Sequence, residues 1–185
     1  GQQTMYPGRN PMGMMVAAQG IQQVAKFLVR AVADPDDLEA REGMALAAML
    51  GGLAFSNVCV ALVHAMEYPL GGLVHCSHGQ GNGLLLPYVM RHNASVRTTE
   101  FAQIAAWMGE LVEGKPEEEA AQQAIAGVER LKTQIGIPQR LAEIGVKSQD
   151  IPWLSEKAFG IKRLLRMNPH PVDMNDIARI YRDAL

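Results

Sequence analysis

Residues 64–83 read HAMEYPLGGLVHCSHGQGNG: the end of one helix, a corner, and the start of another. The apolar run before His64 has the character of a long helix nearing its end. The Pro69-Leu70-Gly71-Gly72 stretch is expected to break it, because proline lacks an amide donor and glycine disfavours helix, and a new helix is expected from Gly79. The stretch also carries His64, His75 and His78, three of the chain's five histidines. Neutral imidazole is the commonest protein ligand for divalent transition metals, so two histidines joined by such a corner can supply half of a four-ligand site. Polar residues merely populating a loop are the competing reading, and spacing alone does not decide between them.

Working outward, helical periodicity dominates. Val16, Ile21, Val24, Leu28 and Val32 recur near a helical period across 12–33, after a turn-like start at Pro7-Gly8-Arg9-Asn10-Pro11. Asp36 or Asp37 can cap a long second helix through Leu38, Leu46, Met49, Leu53, Val58 and Leu62, apolar almost all round beyond Met44 and therefore expected to be central and buried. Gly51 and Gly52 in its middle cost about 1 kcal/mol each relative to alanine, which points to close helix approach or a kink. Further helices are expected at 79–92, 98–109, 116–135, 138–144, 149–160 and 174–184. Pro116 followed by Glu117, Glu118 and Glu119 marks a helix start, since carboxylates favour the positive end of the helix dipole, and Gly136 and Pro138 mark its stop. Trp107 and Trp153 fall on helical faces and read as core residues. With no strand signal, repeat or Pro/Ser-rich linker, 1–185 reads as a single all-α domain, a multi-helix bundle.

Composition narrows the function classes. The chain has 185 residues, 48% of them hydrophobic, and a net charge of -2 with scattered basic residues, which suits a globular protein and not a nucleic-acid binder. Cys59 and Cys76 form no disulfide framework, so a reducing cytoplasm is the expected location. No apolar run reaches the roughly 20 residues a bilayer span needs, so no membrane partner is expected. Gly79, Gly81 and Gly83 only superficially resemble a phosphate-cradling loop, because a dinucleotide fingerprint needs a preceding strand.

The pattern His64-x-x-x-Tyr68-Pro69-Leu70-Gly71-Gly72, then His78-Gly79 and Asn82, then Leu86-Pro87 and Val89-Met90-Arg91-x-Asn93, resembles the second signature of the iron-containing (group III) alcohol dehydrogenase family. The resemblance extends through 34–41 and Phe55-Ser56-Asn57 to Ile135-Gly136-Ile137-Pro138, covering nearly the whole chain. It implies that His64 and His78 are metal ligands within the C-terminal helical domain of a two-domain dehydrogenase. The implied metal is Fe2+, with Zn2+ as the alternative, acting as a Lewis acid on the substrate oxygen. NAD or NADP would be held by an N-terminal α/β nucleotide domain that this chain lacks, so no cofactor-binding residue is expected within it. The implied substrate is a small alcohol or aldehyde, and the implied assembly a homo-oligomer.

Two departures qualify what the resemblance implies. The family's other two ligands, an Asp and a His four residues apart, would precede this chain, and residues 1–33 contain neither residue type. The chain is therefore expected to be a fragment of a longer enzyme, inactive alone. Second, Tyr68 stands where many members carry a histidine assigned to proton relay; a phenol can donate a hydrogen bond but is a poorer shuttle near neutral pH. Tyr68 is accordingly the candidate catalytic residue. The Met66-x-Tyr68-Pro69 variant, with Tyr6, Gly8, Asn10 and Pro11 upstream, is similar to the hydroxyacid-oxoacid transhydrogenase branch, which would make the substrate a hydroxy acid. Glu67 reads as a solvent-facing helix-end residue, with a bond to the ligand histidines as the alternative. His92 is placed near the cleft or on the bland surface, and His170, between Pro169 and Pro171, in a loop. Outside the family, the chain reads as a stand-alone metal-binding module using His64, His75, His78 and Cys76, or as a helical interaction domain without catalysis.

Overall fold

The computed structural model describes residues 10–185, and among these there is no strand. The turn at Pro7–Arg9 and the upstream Tyr6 and Gly8 lie outside the described residues. The helices are α1 (Pro11–Ala33), α2 (Leu38–Val58), α3 (Leu62–Val74), α4 (His78–Ala94), α5 (Thr98–Trp107), α6 (Glu117–Gln134), α7 (Ile151–Gly160), α8 (Lys162–Leu165) and α9 (Met174–Ala184), with single 3₁₀ turns at Leu141–Ile144 and Ser148–Asp150. The all-α expectation holds. The described residues divide into two compact units, one of residues 10–59 with 98–127 and the other of 60–97 with 128–185.

In the first unit, α1 and α2 form an antiparallel pair. Asn10 caps α1, its Oδ1 accepting from Gly13 N at 2.7 Å, and Asp37 caps α2 by accepting from Ala40 N at 3.0 Å. That backbone bond, aided by Arg30, holds the Asp37 carboxyl below its usual range. Between the helices, the buried Phe27 ring lies where a side chain at Gly43 would stand: a Cβ there would meet Phe27 Cδ2 at 2.2 Å. The expectation that α2 is central and buried is not met. Only Ala40, Gly43 and Ala47 are buried along it, and Leu46, Met49, Leu53 and Phe55 are exposed. Nothing crowds Gly51 or Gly52. Helix α2 also stops at Val58, short of Leu62, because Cys59 takes a positive φ of 65° and its amide closes the helix onto Phe55 O.

The second unit carries the larger core. Leu62, Met66 and Leu70 of α3, Leu84 and Leu85 of α4, Leu141, Leu154, Leu164, and Ile177 and Tyr181 of α9 are wholly buried in one cluster. The corner falls elsewhere than the sequence suggests. Pro69, Gly71 and Gly72 lie inside α3, and the chain turns at His75, which adopts the left-handed conformation (φ 55°) and donates its amide to Gly71 O. Near Pro69 the buried Tyr181 hydroxyl donates to Met66 O at 2.5 Å, tying α3 to α9. In α4, which contains Pro87, the buried Lys132 reaches Leu84 O at 3.5 Å and also Gln139 O at 3.3 Å. Trp153, expected in the core, is instead 44% exposed, with Lys157 against its ring.

Helix α9 begins with a reciprocal cap: Asp176 N donates to Asp173 Oδ1 at 2.8 Å, and Asp173 N donates to Asp176 Oδ2 at 3.2 Å. Arg179 also donates to Asp176, and this bond is the main reason its carboxyl titrates below the ordinary 3.8. A carboxylate with a depressed folded-state pKa stabilises the fold fully above the unfolded value and loses that contribution as pH falls through the folded value. Acid below pH 3.8 should therefore weaken the native chain more steeply than Asp176→Asn, with the two profiles parallel above about pH 5. Denaturant midpoints measured across this range check the difference in slope.

Candidate metal centre

His64 sits in the first turn of α3 and His78 at the first position of α4, and the two rings come together from adjoining helices. Their centroids lie 5.2 Å apart at 53°. The Tyr68 ring, one helical turn along α3 from His64, stacks toward His78 at 6.1 Å and 29° and is 45% exposed. All three proposed site residues thus share one end of the α3–α4 pair within the second unit. Partial burial, with His78 alongside, holds the His64 imidazole below its usual pKa and so favours the neutral, lone-pair-bearing form. Its Nδ1 is buried without a hydrogen-bond partner.

Glu67, expected to face solvent, is 3% exposed, and its Oε2 lies 2.6 Å from His78 Nδ1. Two glycines open the slot it occupies. A Cβ at Gly81 would meet Glu67 Cγ at 2.8 Å, and one at Gly71 would meet Glu67 Oε1 at 3.0 Å. A carboxylate on Nδ1 fixes the imidazole with its proton on that nitrogen, leaving the Nε2 lone pair for another partner. The sequence held this signal in a form that needs the fold to decode: Glu67 and Gly71 are four apart on α3, and Gly81 follows His78 by three on α4. Asn82, named in the sequence only as part of the family pattern, also touches His78; its Nδ2 donates to His78 O at 2.9 Å and lies 3.2 Å from His78 Nε2, while its Oδ1 is buried and unpartnered.

The structure does not recruit His75 and Cys76. His75 is exposed at the helix end, and Cys76 sits beside Gly81 and Glu67, where burial and the Glu67 charge push its thiol pKa up, away from the thiolate a metal would need. Among the described residues no group of three or more His, Cys, Asp or Glu is placed to hold a metal ion. The chemistry of the donor set nonetheless fits part of a shell: two imidazoles, one with an orphaned buried nitrogen and the other oriented by a carboxylate. His92 is neither here nor on the surface; it is buried further along α4, its ring stacked at 4.2 Å on that of His170.

A family model described as the Fe-containing alcohol dehydrogenase family, C-terminal, matches residues 5–185. A 1,3-propanediol dehydrogenase of Klebsiella pneumoniae is 42% identical over 175 residues, covering 95% of this chain and 45% of that protein. An NAD-dependent methanol dehydrogenase of Bacillus methanolicus is 38% identical, over 96% of this chain and 46% of its own length. The crystal structure of a 1,3-propanediol oxidoreductase superposes with a TM-score of 0.94 at 41% identity, over 97% of this chain and 47% of the other. The chain thus spans slightly less than half the length of these relatives.

Proposed function

Because the chain belongs to the iron-containing alcohol dehydrogenase family, matching its C-terminal part, we propose that it is the metal-holding helical half of a nicotinamide-dependent alcohol dehydrogenase. The observation that carries this reading is the pair of adjacent imidazoles with Glu67 on His78 Nδ1. The substrate would be a small alcohol or its aldehyde, in keeping with relatives named for propanediol and methanol. A divalent cation, iron or zinc, would supply a Lewis acid for the substrate oxygen, and NAD or NADP held outside this chain would supply hydride chemistry.

The chain's own residues have three tasks. His64 and His78 present imidazole nitrogens as two of the donors. Glu67, shielded from water, keeps the His78 ring in one tautomer and one orientation, while the Asn82 amide and a cation would compete for Nε2. Tyr68, exposed beside His78, can donate its phenolic hydrogen to an oxygen bound near the two rings, holding the substrate and stabilising charge as the O–H proton leaves. A tyrosine at this position also suits the runner-up substrate class, hydroxy acids.

Cobalt(II), a spectroscopic stand-in for iron or zinc, tests the reading. The 185-residue chain should bind it weakly, since two imidazoles leave most positions to water, and the visible absorption should vanish in His64→Ala. Glu67→Ala should weaken binding by about 10–100-fold, with Glu67→Gln retaining part of the affinity. Cobalt uptake indifferent to His64, His78 and Glu67 would overturn the assignment.

A further inference from the structure

Away from the paired histidines, the second unit contains a cleft of about 470 Å³ between α4, the end of α6 and α9, lined by Tyr88 and Ile180 together with Arg91, His92, Arg140 and Arg179. Glu129 and Asp183 also line it, leaving three guanidinium groups against two carboxylates. Arg91 is paired with Glu129 and Arg179 with Asp176. Arg140 differs: its Nη1 donates to the neutral carbonyl oxygen of Asp183 at 2.7 Å, so that bond leaves its charge uncompensated. A guanidinium has five N–H donors in a planar fork, and one or two bonds leave the rest available to a further acceptor.

The second observation is independent of the arginines. His92 is only 8% exposed, lines the same cleft, and its Nε2 is buried without any hydrogen-bond partner. Leaving such a group unsatisfied costs about 1–3 kcal/mol, which a ligand atom that reached it would relieve. Its position is set from behind: the ring stacks on His170, whose Nδ1 is 2.8 Å from His92 O. Burial, with His170 adjacent, lowers the imidazole pKa and favours its neutral form, with one N–H and one lone pair.

We propose that this cleft binds the phosphate group of a small organic phosphate monoester, with Arg140, Arg91 and Arg179 supplying charge, His92 Nε2 supplying a buried hydrogen-bonding nitrogen, and Tyr88 and Ile180 forming the wall for the organic part. A phosphate offers several acceptor oxygens in a tetrahedral array, which suits donors converging from three separate elements better than a single planar carboxylate does. The volume exceeds what one phosphate fills and lies in the range of small-molecule sites, which favours a monoester over the free ion.

Glycerol phosphate and inorganic phosphate, titrated separately into the ¹⁵N-labelled 185-residue chain at constant ionic strength, test this through the His92 side-chain nitrogen resonances. The monoester should give a saturable shift of His92 Nε2 with an affinity in the millimolar range or tighter, and inorganic phosphate a weaker one. Arg140→Gln and Arg179→Gln should each weaken it about tenfold, and His92→Phe should abolish the site, with circular dichroism confirming the fold. The arginine variants alter exposed side chains, so they decide the matter even if His92→Phe fails to fold. A shift that does not saturate, equal affinity for the two ligands, or binding unchanged in both arginine variants would overturn the proposal.

Discussion

Gly43→Ala is expected to destabilise the α1–α2 pair by about 2–3 kcal/mol, far beyond the effect of alanine at an open helical glycine, where helix propensity favours the change. The added methyl would lie 2.2 Å from Phe27 Cδ2 and 2.6 Å from Cε2 and Cγ, and the ring is only 6% exposed, so it cannot swing away into solvent. Gly51→Ala and Gly52→Ala, where nothing lies within 4 Å, serve as controls and should be neutral or mildly stabilising. The attribution to Phe27 has its own check. Phe27→Ala alone should cost about 3–5 kcal/mol through the cavity it leaves, but adding Gly43→Ala to it should cost little more, because the methyl then enters vacated space. Urea denaturation of the four proteins measures the coupling; additive costs would show that the ring is not what Gly43 makes room for.

His64→Ala or His78→Ala, in a polypeptide joining this chain to a nucleotide-binding half, should lower kcat/KM for alcohol oxidation by about three orders of magnitude or more. The Lewis-acid contribution at stake is several kcal/mol, and each 1.36 kcal/mol corresponds to about tenfold in rate. The 185-residue chain alone is expected to show no nicotinamide-dependent oxidation, since the reaction needs a hydride donor held in position against the substrate. Glu67→Gln should retain more activity than either histidine variant, because it alters the orientation of a donor without deleting one. Steady-state assays with metal content measured on the same samples separate lost chemistry from lost metal. Activity within tenfold of the parent in both histidine variants would remove them from the metal shell.

The helical class was legible because its signals are local. Asn10 and Asp37 cap where short polar side chains should, and the bounds of α1 and α9 fall within a residue of the periodic pattern. The breaks were misread where tertiary contacts overrule local preference. Pro69 and its glycines looked like a corner, yet α3 continues through them, with Pro69 and Leu70 buried in the core and the helix tied to α9 by the Tyr181 hydroxyl on Met66 O. The actual stops, Cys59 and His75, take positive φ without being glycine, which no propensity scale flags. At the candidate centre, His64 and His78 were named from the family resemblance, and the structure sets their rings 5.2 Å apart. Glu67 did not, since a lone acid on a helix reads as solvated until Gly71 and Gly81, on two different helices, are seen to leave it a dry slot.

The Tyr181 hydroxyl has a consequence at a distance. It fastens α9 to the backbone of Met66, midway between His64 and Pro69, and Ala184 on the same helix is completely buried. Helix α9 is therefore a latch on the histidine-bearing helix. Tyr181→Phe would release that latch: the damage would surface in how the His64 and His78 rings are held, while the altered residue itself lies far along the sequence from either histidine.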